Sequence, residues 1–140
     1  MTRAATSNKM ISAIVVTHGR LADEFVATAR KIFGDFRGVY PLTNEDKTPQ
    51  SLADEIEAII EHGGPDETFI VFVDFLFGSC GHATLAVERR YKNVRVVSGV
   101  NLPMILAFLN KRNEVNFERL PSELASRGRD SIQSVDTDQL

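Results

Sequence analysis

Four short apolar runs of strand length alternate along this chain with segments of helical spacing. One of them, "FIVFVDF", is apolar on both faces, as is typical of a central strand in a parallel sheet. Strands that alternate with helices are joined by right-handed crossovers and form a mostly parallel sheet. We therefore predict an α/β fold, a doubly wound four-stranded sheet with helices on both faces. The predicted strands are Ile11–Val16, Phe36–Tyr40, Thr68–Val73 and Val94–Val97.

The helical segments are recognised by their apolar spacing and by residues that favour helix starts. Ser51, Ser79 and Asn101 are predicted N-caps, and Asn101 opens a helix that runs to about Arg112. One predicted helical face carries Leu21, Phe25, Ala29, Ile32 and Phe33, and a second carries Leu52, Ile56, Ile59 and Ile60.

We predict the strand order 2-1-3-4 and a single domain over residues 10–136. Residues 1–9 are small and polar and are predicted to be a flexible leader, and 137–140 a frayed tail. The stretch "RDSIQSVDTDQL" alternates weakly at Ile132 and Val135. It is predicted to be a short edge strand, antiparallel to the others.

Composition excludes several classes of protein. The net charge is −3, whereas nucleic-acid and anionic-membrane binders normally carry a surplus of Lys and Arg. No apolar run approaches the roughly 20 residues that span a bilayer, and the N-terminus does not have the pattern of a signal peptide. The single Cys80 cannot form an internal disulfide, so a reducing cytoplasmic location is expected.

Two ionisable residues follow the strands that flank the predicted change in strand order. His18 ends strand 1 in "IVVTHG", and Asp74 ends strand 3 in "VFVDF". Ligands of open α/β sheets bind beyond the carboxyl ends of the strands at that point. A carboxylate that accepts a hydrogen bond from one imidazole nitrogen fixes the tautomer and leaves the other nitrogen nucleophilic.

A helix start next to this crevice is suited to a phosphoryl group. The helix predicted near Gly78 and Ser79 offers unpaired N–H groups and a positive dipole end, and Gly78 has no side chain to block approach. Together with His18 and Asp74 this predicts a phosphorylatable histidine.

Each element also has a simpler interpretation. A His or Asp after a strand is commonly a turn or capping residue, and Gly-Ser helix starts are common. His18, Asp74, Cys80 and His82 can be imagined as zinc ligands, but Cys80 and His82 are only two apart, which is not a usual zinc spacing, so no metal is expected. "FGSCG" nearly matches the G-x-S-x-G nucleophile elbow, with Phe77 in place of the first glycine.

Two stretches, "ISAIVVTHGRLADEFVATA" and "VSGVNLPMILAFL", with "VFVDFLFGSCGHA" between them, carry a resemblance to a known family. The chain resembles the mannose-type IIA domain of the bacterial phosphoenolpyruvate-dependent sugar phosphotransferase system over about residues 10–135.

The resemblance implies a protein-to-protein phosphoryl relay without a cofactor. The histidine matching His18 would receive phosphate on Nε2 from a small phosphocarrier protein and pass it to a separate IIB protein. The residue matching Asp74 would bond the other ring nitrogen, and Gly19, Gly78 and Ser79 are the predicted phosphate-binding residues. The family also implies a homodimer that exchanges the C-terminal strand, here "DSIQSV".

The chain departs from the family pattern Asp-x-x-Gly-Gly-Ser-Pro. Phe77 stands at the first glycine and Cys80 at the proline, and His82 replaces the usual asparagine three residues beyond the serine. Phe77 would narrow the pocket or form a hydrophobic partner surface. Two functions therefore stay open: a relay component for sugar uptake, or a regulatory module of the same fold that controls another protein by phosphorylation or binding.

Overall fold

The structure, a computed structural model, describes residues 10–140 and contains four strands and five α-helices. The predicted leader at 1–9 lies outside the described residues. The strands are β1 (Ser12–Thr17), β2 (Val39–Thr43), β3 (Phe69–Val73) and β4 (Val94–Ser98). The helices are α1 (Leu21–Phe33), α2 (Pro49–Gly63), α3 (Ser79–Glu88), α4 (Leu102–Lys111) and α5 (Leu120–Asp130).

The strands form one parallel sheet in the order β2-β1-β3-β4, which confirms the predicted order. β1 and β3 are buried along their whole length, as the apolar runs predict. Successive side chains of a strand point to opposite faces. Val15 and Phe72 therefore pack under α1, α4 and α5, whereas Val16 and Val73 pack under α2 and α3.

β2 begins three residues later than predicted. Phe36 does not enter the sheet, because its ring lies edge-on to Phe33 and its carbonyl accepts a hydrogen bond from Arg30. The strand instead includes Pro41, which cannot donate to a ladder. A proline is tolerated there because β2 is an edge strand.

Two of the three predicted N-caps are wrong by a few residues. Thr48 caps α2, and Ser51 is its reciprocal partner: each side chain accepts from the other residue's backbone N–H at 3.0 Å. Gly78 precedes α3, and Ser79 is the first residue of that helix.

Asn101 is confirmed as the cap of α4, and it also holds a helix that the sequence analysis did not predict. Its Oδ1 accepts from the Met104 N–H at 2.9 Å, and its Nδ2 donates to the carbonyl of Gly128 in α5 at 3.1 Å. A Cβ on Gly128 would lie 2.6 Å from the terminal methyl group of Met104, so α5 packs directly on the Met104 side chain at this point. Buried Leu120 and Leu124 complete this contact.

The C-terminal segment forms no strand in the described single chain. α5 continues to Asp130, and a short 3₁₀ helix covers Thr137–Gln139. Ile132 and Val135 are 76% and 67% exposed. A strand is stable only when it pairs with another strand, and in the single chain this segment does not lie beside the sheet. Strand exchange between two chains stays a prediction.

Candidate active site

The turn after β1 presents His18 at the carboxyl edge of the sheet. Buried Thr17 accepts a hydrogen bond from the Ala22 N–H at 2.7 Å, which satisfies one free donor in the first turn of α1. Gly19 has a φ of +58°, in the left-handed region where glycine is favoured. The chain therefore turns sharply between strand and helix, and the His18 side chain is left 43% exposed.

Asp74, at the end of β3, contacts His18 through both the backbone and the ring. The Asp74 carboxylate accepts from the His18 backbone N–H at 3.0 Å. Its two oxygens lie 3.2 and 3.3 Å from His18 Nδ1. The Asp74 side chain is only 14% exposed. The carboxylate therefore fixes the position of the loop and the orientation of the imidazole, and leaves Nε2 on the far side of the ring.

The far side of the ring lies beside the N-terminus of α3. A Cβ added to Gly78 would be 3.4 Å from both Cε1 and Nε2 of His18, so Nε2 lies next to the Gly78 backbone. Gly78 offers no side-chain cap, and no other side chain of the described chain caps α3. The free N–H groups and positive end of this helix are thus available for an anion bonded to or approaching Nε2.

Gly81 holds the loop between Asp74 and α3 in place. A Cβ at Gly81 would lie 1.8 Å from the carbonyl oxygen of Leu76, so only a glycine allows this loop to fold back on the first turn of α3. The sequence analysis did not single out Gly81. Its signal was the second glycine of "GSCG", two residues after the predicted helix start at Ser79.

Asn44 is a second residue that the sequence analysis missed. It follows β2 at the same edge of the sheet, and its backbone N–H donates to the carbonyl of Thr17 at 3.1 Å. Its Oδ1 accepts from the Gly19 N–H at 3.3 Å, and its Nδ2 donates to Ser79 Oγ at 3.1 Å. Asn44 therefore joins the His18 turn to the start of α3 and already occupies the Gly19 amide.

Cys80 lies under the imidazole, whereas His82 lies outside this group. The Cys80 Sγ is 3.7 Å from His18 Nδ1, and the residue is fully buried. Burial, and then the nearby Asp74 charge, raises the pKa of Cys80 to about 11. The thiol is therefore protonated near neutral pH, and a thiolate nucleophile is excluded.

The Ser79 hydroxyl accepts a hydrogen bond from the neutral side-chain amide of Asn44, which is not a general base. The nucleophile-elbow interpretation therefore gains no support.

Two aromatic rings project from the loop beside the site. Phe77 is 82% exposed and Phe75 is 55% exposed, and their rings lie edge-to-face with centroids 6.3 Å apart. Exposed aromatic rings of this kind are common in protein-binding surfaces.

Comparison with known proteins adds the family. The model of the EIIA-man family, described as the PTS system fructose IIA component, matches residues 12–124, which include every residue of this site. The chain belongs to the EIIA-man family. The matched range also includes α5 up to Leu124, where it packs against α4.

The relatives are sugar-specific IIA components. The sorbose-specific EIIA component of Klebsiella pneumoniae is 24% identical over 115 residues, which cover 82% of this chain and 84% of that protein. The mannose/sorbose-specific IIA subunit from Enterococcus faecalis has a TM-score of 0.79 at 25% identity, with 91% of this chain and 96% of that one covered.

A crystal structure from Klebsiella pneumoniae, a putative phosphotransferase-system permease, shares the fold. Its TM-score is 0.80 at 24% identity, covering 95% of this chain and 97% of that chain. These comparisons agree with the expected family of phosphotransferase-system components. Within residues 10–140, none of the helices has the length and apolar character needed to cross a bilayer.

Proposed function

We propose that this chain is a IIA phosphotransferase that accepts a phosphoryl group on His18 Nε2 from a phosphocarrier protein and passes it to a separate IIB component. The observation that carries the proposal is that the two nitrogens of the His18 imidazole have different surroundings. Nδ1 is engaged by Asp74 within 3.3 Å, whereas Nε2 lies beside the uncapped start of α3. Membership of the EIIA-man family supports the same assignment.

The chemistry follows from this geometry. The Nε2 lone pair attacks phosphorus, the bond from phosphorus to the donor's nitrogen breaks, and the donor imidazole leaves with that electron pair. The proton on Nδ1 stays in place, and the ring gains positive charge. The Asp74 carboxylate stabilises that charge, and the first-turn N–H groups of α3 stabilise the phosphoryl oxygens. Transfer onward reverses the steps, with an acceptor side chain of the IIB protein as nucleophile.

The phosphate-binding residues can be ranked by their contacts. Gly78 leaves room beside Nε2, and Ser79 contributes the first N–H of α3 and a hydroxyl held by Asn44. Gly19 acts through its left-handed turn, because its N–H already donates to Asn44.

The three histidines of the chain allow a decisive test. The protein is incubated with phosphocarrier that carries a radioactive phosphoryl group. Wild type should acquire an acid-labile, base-stable label. His62→Ala and His82→Ala should be labelled equally well, and His18→Ala not at all. Label retained by a folded His18→Ala protein would refute the proposal. NMR of the phosphorylated imidazole then distinguishes Nε2 from Nδ1.

The regulatory alternative is favoured by the exposed Phe75 and Phe77 beside His18, which suit binding to another protein. The two functions differ in what happens after phosphorylation. A relay component loses its label to IIB protein within a catalytic cycle. A regulatory module keeps its label in the presence of IIB and binds its target differently in the two phosphorylation states.

We also propose a cytoplasmic homodimer in which the terminal segment pairs with the partner's sheet. Ile132 and Val135 are apolar and exposed in the single chain, as expected for residues that become buried on pairing. Removing residues 132–140 leaves all of α5 intact. The truncated protein should sediment as a monomer at concentrations at which the full chain is a dimer, and an unchanged dimer would place the interface elsewhere.

A further inference from the structure

Three different metal-binding side chains converge on one point beneath the imidazole. The ligand atoms of His18, Asp74 and Cys80 lie within 4.8 Å of one another. His18 Nδ1 is 3.2 Å from Asp74 Oδ2 and 3.7 Å from Cys80 Sγ. These distances are in the range of hydrogen bonds, and the three ligand atoms form a triangle on one side of the imidazole.

Two of the three spacings, the N···O pair and the S···N pair, agree with tetrahedral zinc coordination. Zinc bonds of about 2.3 Å to sulfur and about 2.05 Å to nitrogen or oxygen place ligand atoms about 3.6 Å apart for the S···N pair and about 3.3 Å apart for the N···O pair. The observed 3.7 Å and 3.2 Å match those values within the tolerance expected of a preformed site. The set of nitrogen, sulfur and oxygen donors favours zinc over magnesium, which prefers oxygen ligands.

The three side chains are held by independent contacts. Asp74 is anchored through the His18 backbone N–H, and Cys80 is in the first turn of α3, which Gly81 packs against the Leu76 carbonyl. Cys80 is fully buried and Asp74 largely so, whereas His18 is 43% exposed. The side of this group that is open to solvent is therefore the His18 side.

We propose that His18, Asp74 and Cys80 form a binding site for zinc or a similar borderline-soft divalent metal ion, and that metal binding and phosphorylation of His18 exclude each other. The second half of this proposal rests on the proposed function. The metal bond forms at Nδ1, and a neutral imidazole has one lone pair and one N–H. The proton must then be on Nε2, where it occupies the lone pair that attacks phosphorus.

The proton balance is complete. The metal ion forms bonds to Cys80 sulfur, His18 Nδ1 and an Asp74 oxygen. The Cys80 S–H proton is released to water. The Nδ1 proton is also released to water, and Nε2 takes one proton up, so one proton is lost in total and no oxidant or reductant is needed. The phosphorylated form keeps its proton on Nδ1 and has no lone pair there for the metal.

Cobalt(II) tests the metal site without reference to phosphorylation. Because Cys80 is the only cysteine of the chain, a thiolate-to-cobalt charge-transfer band in the near ultraviolet can come only from Cys80. We expect this band to saturate at one equivalent, in a non-thiol reductant, and to be reversed by zinc. Magnesium should not reverse it.

Variants test the composition of the site. Cys80→Ala should lose the band, and His18→Ala and Asp74→Asn should each weaken cobalt binding by about tenfold or more. The matched control is His82→Ala, which removes a neighbouring exposed histidine outside the cluster and should bind like wild type. Circular dichroism checks that each variant is folded. Absence of the band in wild type, or a band of unchanged affinity in both His18→Ala and Asp74→Asn, overturns the site.

The exclusion is tested with pre-phosphorylated phosphocarrier as donor, with each protein compared with its own metal-free rate. Zinc should suppress labelling of wild type by about tenfold or more. For Cys80→Ala, the labelling rate with zinc divided by the rate without zinc should stay near one. Phosphorylated wild type should show no cobalt band. A wild type that shows the band but is labelled equally with and without zinc refutes the exclusion. A wild type that shows the band and is never labelled refutes the proposed function and leaves the metal site standing.

Discussion

Polar side chains lie at both ends of the sheet, but their hydrogen bonding differs between the two ends. At the carboxyl end, His18 and the first turn of α3 have hydrogen-bonding capacity that the described chain leaves free. At the amino end, the polar groups are bonded to one another. Ser12 donates to the Glu67 carboxylate at 2.5 Å, Asn93 donates to the Glu67 carbonyl at 2.7 Å, and buried Arg112 donates to the Ile11 carbonyl at 3.3 Å.

Arg112 is a buried charged residue at the amino end whose guanidinium has partners within the chain. Burial lowers the pKa of its guanidinium, so the charge is retained at a cost, which the Ile11 carbonyl and the Phe108 ring partly offset. The volume of a cavity does not mark the candidate site either. A cavity of about 490 Å³ beside Tyr91 and Asn93 lies at the amino end of the sheet, opposite His18.

The difference teaches that polar groups which saturate one another stabilise the fold, whereas groups left partly unsatisfied on a rigid frame are available for chemistry. Substitutions at the carboxyl end should therefore change phosphoryl transfer more than stability. Substitutions at the amino end should do the reverse.

The largest effect is expected for Asp74→Asn at the carboxyl end. The amide keeps an acceptor for the His18 N–H but loses the charge that, in the proposed function, stabilises the phosphorylated ring. Transfer from the phosphocarrier should slow by about 100-fold or more, with the thermal midpoint little changed. The control is Asp66→Asn, an exposed carboxylate before β3, which should transfer normally. Equal transfer rates in the two variants would contradict the assigned role of Asp74.

Gly81→Ala is expected to be an exception to the rule that carboxyl-end substitutions change transfer more than stability. Gly81 lies at the carboxyl end, but it is needed for the fold of the loop before α3. The added methyl group would lie 1.8 Å from the Leu76 carbonyl oxygen, and the loop must move. We expect a loss of about 3 kcal/mol in the free energy of unfolding, together with slower transfer. Chemical denaturation measures the first quantity. His82→Ala in the same helical turn should have neither effect, and a Gly81→Ala protein of native stability would show that the loop is not constrained.

Ser12→Ala tests the amino end. It removes a buried hydroxyl that donates to a carboxylate, so we expect a loss of about 1.5 kcal/mol in unfolding free energy. Phosphoryl transfer measured well below the thermal midpoint should be unchanged. Ser126→Ala, an exposed serine of α5, is the control and should change neither quantity. A transfer defect in a stable Ser12→Ala protein would mean that the two ends are coupled.

The smallest effect is expected for Phe77→Ser. The exposed ring contributes nothing to the core, so stability should change by less than about 0.5 kcal/mol. Affinity for a protein partner should fall about fivefold, in line with the loss of one aromatic contact. Ile32→Ser removes an apolar residue that is 59% exposed at the far end of α1 and should leave affinity unchanged. Equal affinities for the two variants would exclude this aromatic pair from the interface.

Much of this fold was predictable from the sequence because its signals are local. The apolar runs of β1 and β3, the cap at Asn101 and the parallel order follow from patterns within about ten residues and from general rules of chain crossover. The predictions that failed also rested on local patterns, but in each case another residue or another contact took the predicted place. Phe36 packs on α1 rather than entering β2, and Thr48 takes the cap position expected for Ser51. The i, i+4, i+8 spacing of Leu120, Leu124 and Gly128 indicates the helix α5, which the sequence analysis did not predict.

The site divides in the same way. The sequence by itself determined that a histidine and an aspartate each follow a strand of a parallel sheet, and such strand ends share one edge. The pairing of those two strands was an assumption about topology, which the structure confirms. Only the tertiary structure decided that Asn44 joins Gly19 to Ser79 and that Cys80 lies under the imidazole. These contacts join residues that are 25 to 62 positions apart, and no local pattern encodes them. They exist because packing of α3 against β1 and β3 fixes side chains from three loops within a few ångströms of one another.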